Sequence, residues 1–177
     1  MQYTFETLYN QKSLAVMAKC LRKTIRKKKS KRSHIFGWLV VVLAVLLSFV
    51  SGDEGFVIDL RTIITWIAGA ALVIVLVFED QINGYFARKR MLKGTEKAVS
   101  VFDTEDPSGF VSETEIGKSE FSYEKIAQIA ETKQYYVFVF SENHAQIYDK
   151  STMSGGTTEE FEHFLCNMTK KAVVKVS

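Results

Sequence analysis

Two uninterrupted apolar runs, residues 35–50 and 63–78, limit what this chain can become more than anything else in it. Each holds 16 residues and no charged side chain. As helices they would be about 24 Å long against a hydrocarbon core of about 30 Å. Snorkelling Lys31, Arg32 and Arg61 and slight bilayer thinning make up that difference. A chain of 177 residues has too little other sequence to enclose two helices that are apolar on every side. The runs therefore predict a membrane hairpin, with spans at about 35–50 and 62–79 and an external loop at 51–61. A cleaved signal peptide fits poorly, because a long charged segment precedes the first run and no small-x-small site follows it.

Charge placement orients the hairpin. Eight Lys or Arg residues fall within 22–32 and four within 88–93, whereas the short loop carries Asp53, Glu54, Asp59 and Arg61. Lysine and arginine concentrate on the cytoplasmic side of membrane helices, so both termini are expected there, in a multi-pass protein of the cell membrane. Trp38 and Trp66 lie near opposite ends of the hairpin and suit interfacial anchoring. Ala44 with Ser48, and the small residues of 68–71, would let the two helices approach closely.

The cations have a second reading. Arg22, Lys23, Arg26, Lys27, Lys28, Lys29, Lys31 and Arg32 before the first span, with Arg88, Lys89 and Arg90 after the second, could meet anionic lipid headgroups, each contributing about 1 kcal/mol. Leu14, Met17, Ala18, Leu21 and Ile25 form one apolar helix face, which suits an amphipathic helix lying in the membrane interface. The competing reading is that the charges only enforce topology. Nucleic acid is not an expected partner, since no aromatic interleaving or docking motif accompanies the basic run.

After 81–96, which reads as a linker or helical extension, the pattern becomes β-rich. Strand candidates cover 97–102, 110–116, 119–123, 126–131, 134–140 and 145–148, punctuated by Pro107, Gly109 and Gly117. Thr157 and Glu160 have capping-box spacing, and Phe161, Phe164, Leu165 and Met168 then share one helix face. The expected architecture is an α+β membrane protein in four parts. Residues 1–33 are a cytosolic amphipathic and basic helix, 34–80 the transmembrane hairpin, 81–96 the linker, and 97–177 a small cytosolic antiparallel sheet domain closed by a C-terminal helix.

Candidate chemistry is thin. Cys20 and Cys166 form no ligand spacing, and His163 near Glu159, Glu160 and Glu162 lacks the second histidine of a metalloprotease helix. A His163–Cys166 pair is possible at i, i+3, but no orienting group or oxyanion motif accompanies it. Glu79 and Asp80 could form a cation site with Arg88 or Lys89 nearby. No ionisable side chain sits mid-span, which argues against an ion pathway. No catalytic residue, cofactor or metal is expected.

The stretch Phe121-Ser122-Tyr123-Glu124-Lys125-Ile126, followed by Ile129, Glu131-Thr132 and Tyr136, resembles the signature of bacterial YcxB-like proteins. Residues 145–147, Lys150 and the Phe-rich helix continue the likeness. Tyr148-Asp149 departs from it, standing where the family tends to have an apolar residue and proline. The resemblance implies two membrane helices and a C-terminal domain similar to pleckstrin-homology folds, and it implies no chemistry. The expected function is that of a non-enzymatic membrane protein whose cytosolic domain binds a protein partner or a second copy, or regulates a membrane complex. The alternative is a self-immunity protein that neutralises a toxin at the membrane.

Overall fold

The computed structural model describes residues 1–49 and 59–176. The chain opens with a strand that the sequence reading did not include, β1 (Gln2–Leu8), in which Tyr3, Phe5 and Thr7 alternate inward. Four helices follow: α1 (Gln11–Lys23), α2 (Lys27–Phe49), α3 (Leu60–Val77) and α4 (Glu79–Arg90). Then come β2 (Lys97–Asp103), β3 (Gly109–Thr114), β4 (Gly117–Ser122), β5 (Gln128–Glu131), β6 (Tyr135–Ser141), β7 (His144–Asp149), α5 (Thr158–Thr169) and β8 (Val173–Lys175).

Strand β1 pairs along its whole length with β2, from Gln2 opposite Asp103 to Leu8 opposite Lys97. Residues 9–96, with both long helices, are thus an insertion between two neighbouring strands of one sheet. The stretch 1–33 is not a free-standing unit, because its first strand belongs to the β-domain. The opposite edge of β1 is held by the 149–154 turn: Thr152 Oγ1 donates to Glu6 O (2.7 Å), and Asp149 N donates to Thr7 Oγ1 (3.2 Å).

Two four-stranded sheets result, ordered β1-β2-β3-β4 and β7-β6-β5-β8. All pairings are antiparallel except β5–β8, where Val173–Lys175 run parallel to β5. Phe5, Phe102, Phe110, Phe138, Tyr148 and Phe161 meet between the sheets and α5, with ring centroids 4.5–5.8 Å apart for the pairs Phe102–Phe110 and Phe5–Tyr148. Helix α5 starts where the spacing predicts, with Thr157 Oγ1 accepting from Glu160 N (3.2 Å) and Glu160 answering to Thr157 N (2.8 Å).

The other face of the second sheet carries Tyr135, Val137, Val139 and Ile147, and it is covered by Cys20 and Leu21 of α1, with Met17 and Ile25 packed alongside. The apolar stripe read as a membrane-facing surface is therefore largely spent on protein. The same packing explains β6, whose residues Tyr135–Val139 are all buried because both faces are covered. Helix α4 lies against α1 so closely that a Cβ on Gly84 would sit 2.7 Å from Ala15 N.

Helices α2 and α3 are long and apolar enough to cross a membrane. They touch along one seam. On α2 its less exposed positions are His34, Gly37, Val41, Ala44 and Ser48; on α3 they include Thr62, Thr65, Gly69, Leu72 and Leu76. That alternation of three and four is the repeat of a left-handed helix pair. Of the small residues at 68–71, only Gly69 is on the seam; the alanines face outward. A Cβ on Gly37 would sit 2.7 Å from Leu76 Cδ2, so any side chain there would need Leu76 to shift, and Trp66 Nε1 donates to Ser48 Oγ (3.0 Å). Helix α3 begins at Leu60, inside the expected loop, because Asp59 Oδ1 accepts from Thr62 N (2.8 Å) and caps it. Val50 and loop positions 51–58, with Asp53 and Glu54, lie outside the described residues.

Phe5 is fully buried among Phe102, Tyr148 and Phe161, although it belongs to the segment most distant in sequence from them. Phe5→Ala is expected to destabilise the β-domain by about 3–5 kcal/mol, the usual range for removing a buried phenyl ring. Thermal unfolding of the full chain in detergent checks it, with Leu8→Ala, at an exposed position, expected to change little.

Candidate functional site

The foot of the helical hairpin gathers the most concentrated chemistry. Helix α3 ends at Val77, Phe78 leaves the helical conformation, and Glu79 and Asp80 become the first turn of α4. Acidic side chains are favourable at that position because they face the positive end of the helix dipole. The last turn of α1 supplies Arg22, and α2 supplies His34 one residue ahead of its apolar run.

Arg22 grips Asp80 with two hydrogen bonds, Nε to Oδ1 at 2.8 Å and a terminal nitrogen to Oδ2 at 2.6 Å. Its Nε is also 3.6 Å from Glu79 Oε2, which in turn lies 2.7 Å from His34 Nε2. The hydrogen bonds it donates to Asp80 raise the guanidinium's pKa above its ordinary value. A forked, partly buried pair of this kind is among the stronger contacts two side chains make. It ties α1, which covers the β-domain, to the helices of the hairpin. Arg88 and Lys89, expected beside these acids, are more than two helical turns away on α4. Arg88 instead donates to Tyr9 O (3.1 Å) and approaches Glu96 at 4.0 Å.

The cations thus divide. Arg22 and Arg88 face protein groups, Arg26 donates to Asn143 Oδ1 (2.5 Å), and Lys29 lies 3.8 Å from Glu142. Lys23, Lys27, Lys28, Lys31, Arg32, Lys89 and Arg90 are exposed. Lys27, Lys31 and His34 recur at i, i+4 and i+7 on α2. With Lys23 of α1 and residues 174–176 of the β-domain they border an open cavity of about 470 Å³. Trp38 and Trp66 keep about half of their surface exposed, at 46% and 50%.

Two polar residues of the signature, Glu131 and Tyr136, pair inside the β-domain. Lys150 Nζ bonds Glu131 and lies 4.3 Å above the Tyr136 ring, whose hydroxyl donates to Glu162 Oε1 (2.9 Å). Burial raises the Tyr136 phenol's pKa, and the bond to Glu162 adds to it. Tyr123 and Ile126 are buried, and Phe121 stacks on Phe110. Asp149, at the departure from the signature, accepts from Ser151 N (3.0 Å) and so caps the short 3-10 turn that carries Lys150.

The family model for YcxB-like proteins matches residues 106–165. That segment is YcxB-like. No curated protein and no solved structure matches the chain. The YcxB-like segment runs from the turn before β3 into α5, yet its aromatic core is completed by Tyr3, Phe5 and Phe102 from outside it. The hairpin and its foot lie outside it as well.

His163, exposed on α5, has its ring Nδ1 3.1 Å from Asn167 Nδ2, one turn on, and Cys166 is half-buried. Among the described residues no group of three or more His, Cys, Asp or Glu side chains could hold a metal ion. Cys20 of α1 is fully buried against the second sheet, and burial pushes its thiol pKa up to about 11.

Three outcomes follow from this geometry. Arg22→Ala should destabilise the chain by about 1–2 kcal/mol, less than a fully buried pair would lose, since Arg22 keeps 26% of its side-chain surface exposed. An Arg22→Asp, Asp80→Arg exchange should recover part of that loss in the same melting experiment. With maleimide at neutral pH, Cys166 should be modified while Cys20 stays protected until the domain unfolds, as read by intact mass.

Proposed function

We propose that this chain is a two-span integral membrane protein whose β-domain lies on the cytoplasmic side and binds a protein partner, acting as a non-enzymatic component or regulator of a membrane complex. The observation that carries the reading is the β1–β2 ladder. One strand precedes the hairpin and the other follows it, so a folded β-domain requires both ends of the hairpin on the same side of the bilayer. The basic residues flanking both helices make that side the cytoplasm. The outward faces of α2 and α3 are apolar and exposed, a surface too large for water to tolerate on a protein of this size.

A binding role is supported by the way the domain is mounted. Contacts of α1 with α4 and the Arg22–Asp80 bridge set its orientation relative to the spans, as a module presenting one face to a membrane neighbour needs. We further read the domain as pleckstrin-homology-like. Antiparallel layers β1–β4 and β5–β7 with a closing α5 support that reading.

Reporters fused before Met1 and after Ser177 should both be active in the cytoplasm, and the chain should resist alkaline extraction from membranes. Crosslinking in native membranes should recover a stoichiometric protein partner through the β-domain. A chain that stays solitary in cells, or an exported reporter after Ser177, overturns the reading.

A further inference from the structure

The cavity at the foot of α2 is more than a place where basic residues happen to lie. Its walls come from three separate parts of the fold: the end of α1, the first two turns of α2, and the strand β8 with the residue after it. Lys27 and Lys31 are one helical turn apart and present their ammonium groups on the same face of α2. Among the described residues no carboxylate lies within salt-bridge distance of either, whereas Lys29, two positions along and turned away, approaches Glu142. Arg22, at the back of the cavity, is occupied by Asp80. Of the acids beside these residues, Asp80 is held by Arg22, and Glu79 by His34 and Arg22.

The opposite wall adds two features. Val174 and Val176 are apolar, and β8 is the outermost strand of its sheet. Val176 N donates inward to Glu131 O (2.7 Å), so strand alternation leaves the Lys175 N–H on the free edge, available to an acceptor. Ammonium groups on one side, with a main-chain donor and apolar surface on the other, match a phosphate that carries an organic substituent. The volume, about 470 Å³, is in the range of small-ligand sites of roughly 300–1,000 Å³.

Position selects the source of that phosphate. Lys31 and His34 lie within one turn of Ile35, where the apolar run of α2 starts. If the hairpin spans the bilayer as proposed above, on which this step rests, the cavity opens at headgroup depth. We infer that it is a binding site for the phosphate of an anionic glycerophospholipid, held by Lys27 and Lys31 with Lys23 at its rim. Lys28 and Arg32, on the same two turns of α2 but not bordering the cavity, contribute only diffuse attraction.

The test uses the full chain in an uncharged detergent, titrated with mixed micelles containing phosphatidylglycerol, with phosphatidylcholine micelles, and with inorganic phosphate alone. Binding is read by native mass spectrometry. Phosphatidylglycerol should bind saturably at about one lipid per chain. Lys27→Gln with Lys31→Gln should weaken it about tenfold or more, against about threefold or less for Lys28→Gln with Arg32→Gln. If the double variant fails to fold, Lys31→Gln alone carries the comparison. Equal losses in the two pairs overturn the site, leaving unspecific attraction. Equal binding of phosphatidylcholine overturns it too, as does full occupancy by inorganic phosphate with no preference for the lipid. Because micelle binding is scored on the cavity and alkaline extraction on the hairpin, failure of one is distinguishable from failure of the other.

Discussion

The pairing of β1 with β2 is the constraint on which the rest of the structure depends. Seven consecutive partners, from Gln2–Asp103 to Leu8–Lys97, close a loop that contains four helices. Closing a long loop costs conformational entropy, but that cost grows only slowly with length. It is offset by the aromatic core that β1 completes, since Tyr3 and Phe5 reach Phe102, Tyr136, Tyr148 and Phe161. Once the ladder forms, the two ends of the helical insertion are held side by side. That closure suits α2 and α3 lying side by side, as their shared seam shows.

Helix α1 takes its place for a related reason. The second sheet is apolar on both faces, and the first sheet with α5 covers only one of them. Helix α1 covers the other with Leu21, Cys20 and Met17, and Gly84 lets α4 lie directly on its far side. The chain thus stacks α4 on α1 and α1 on the second sheet. Packed elements thus run from the aromatic core to the start of the hairpin.

Electrostatics completes that connection. Asp80 and Glu79 open α4, Arg22 closes α1, and His34 introduces the apolar part of α2. Three helices are pinned where membrane and water would meet, in a setting where charges are partly desolvated and attractions are stronger than at an open surface. The cluster engages both acids, and among the described residues no carboxylate lies within salt-bridge distance of Lys27 or Lys31.

Much was legible in the sequence because it depends on local pattern. The apolar runs, the Thr157–Glu160 cap, β6 and the signature around Phe121–Ile126 follow from hydropathy, spacing and composition, which a single segment carries by itself. The Tyr3/Phe5/Thr7 alternation was present too, but seven residues at a terminus show no partner until β2 is seen beside them. The stripe on α1 could equally face lipid or protein, since both accept apolar side chains; only the uncovered face of the second sheet decided between them. The same holds for the cations. Composition determined that this chain is basic around two membrane-length helices, while tertiary structure alone decided which cations are engaged and which border an open cavity. The reason is that ion pairing acts through space, and Arg22 and Asp80 are 58 residues apart in the chain.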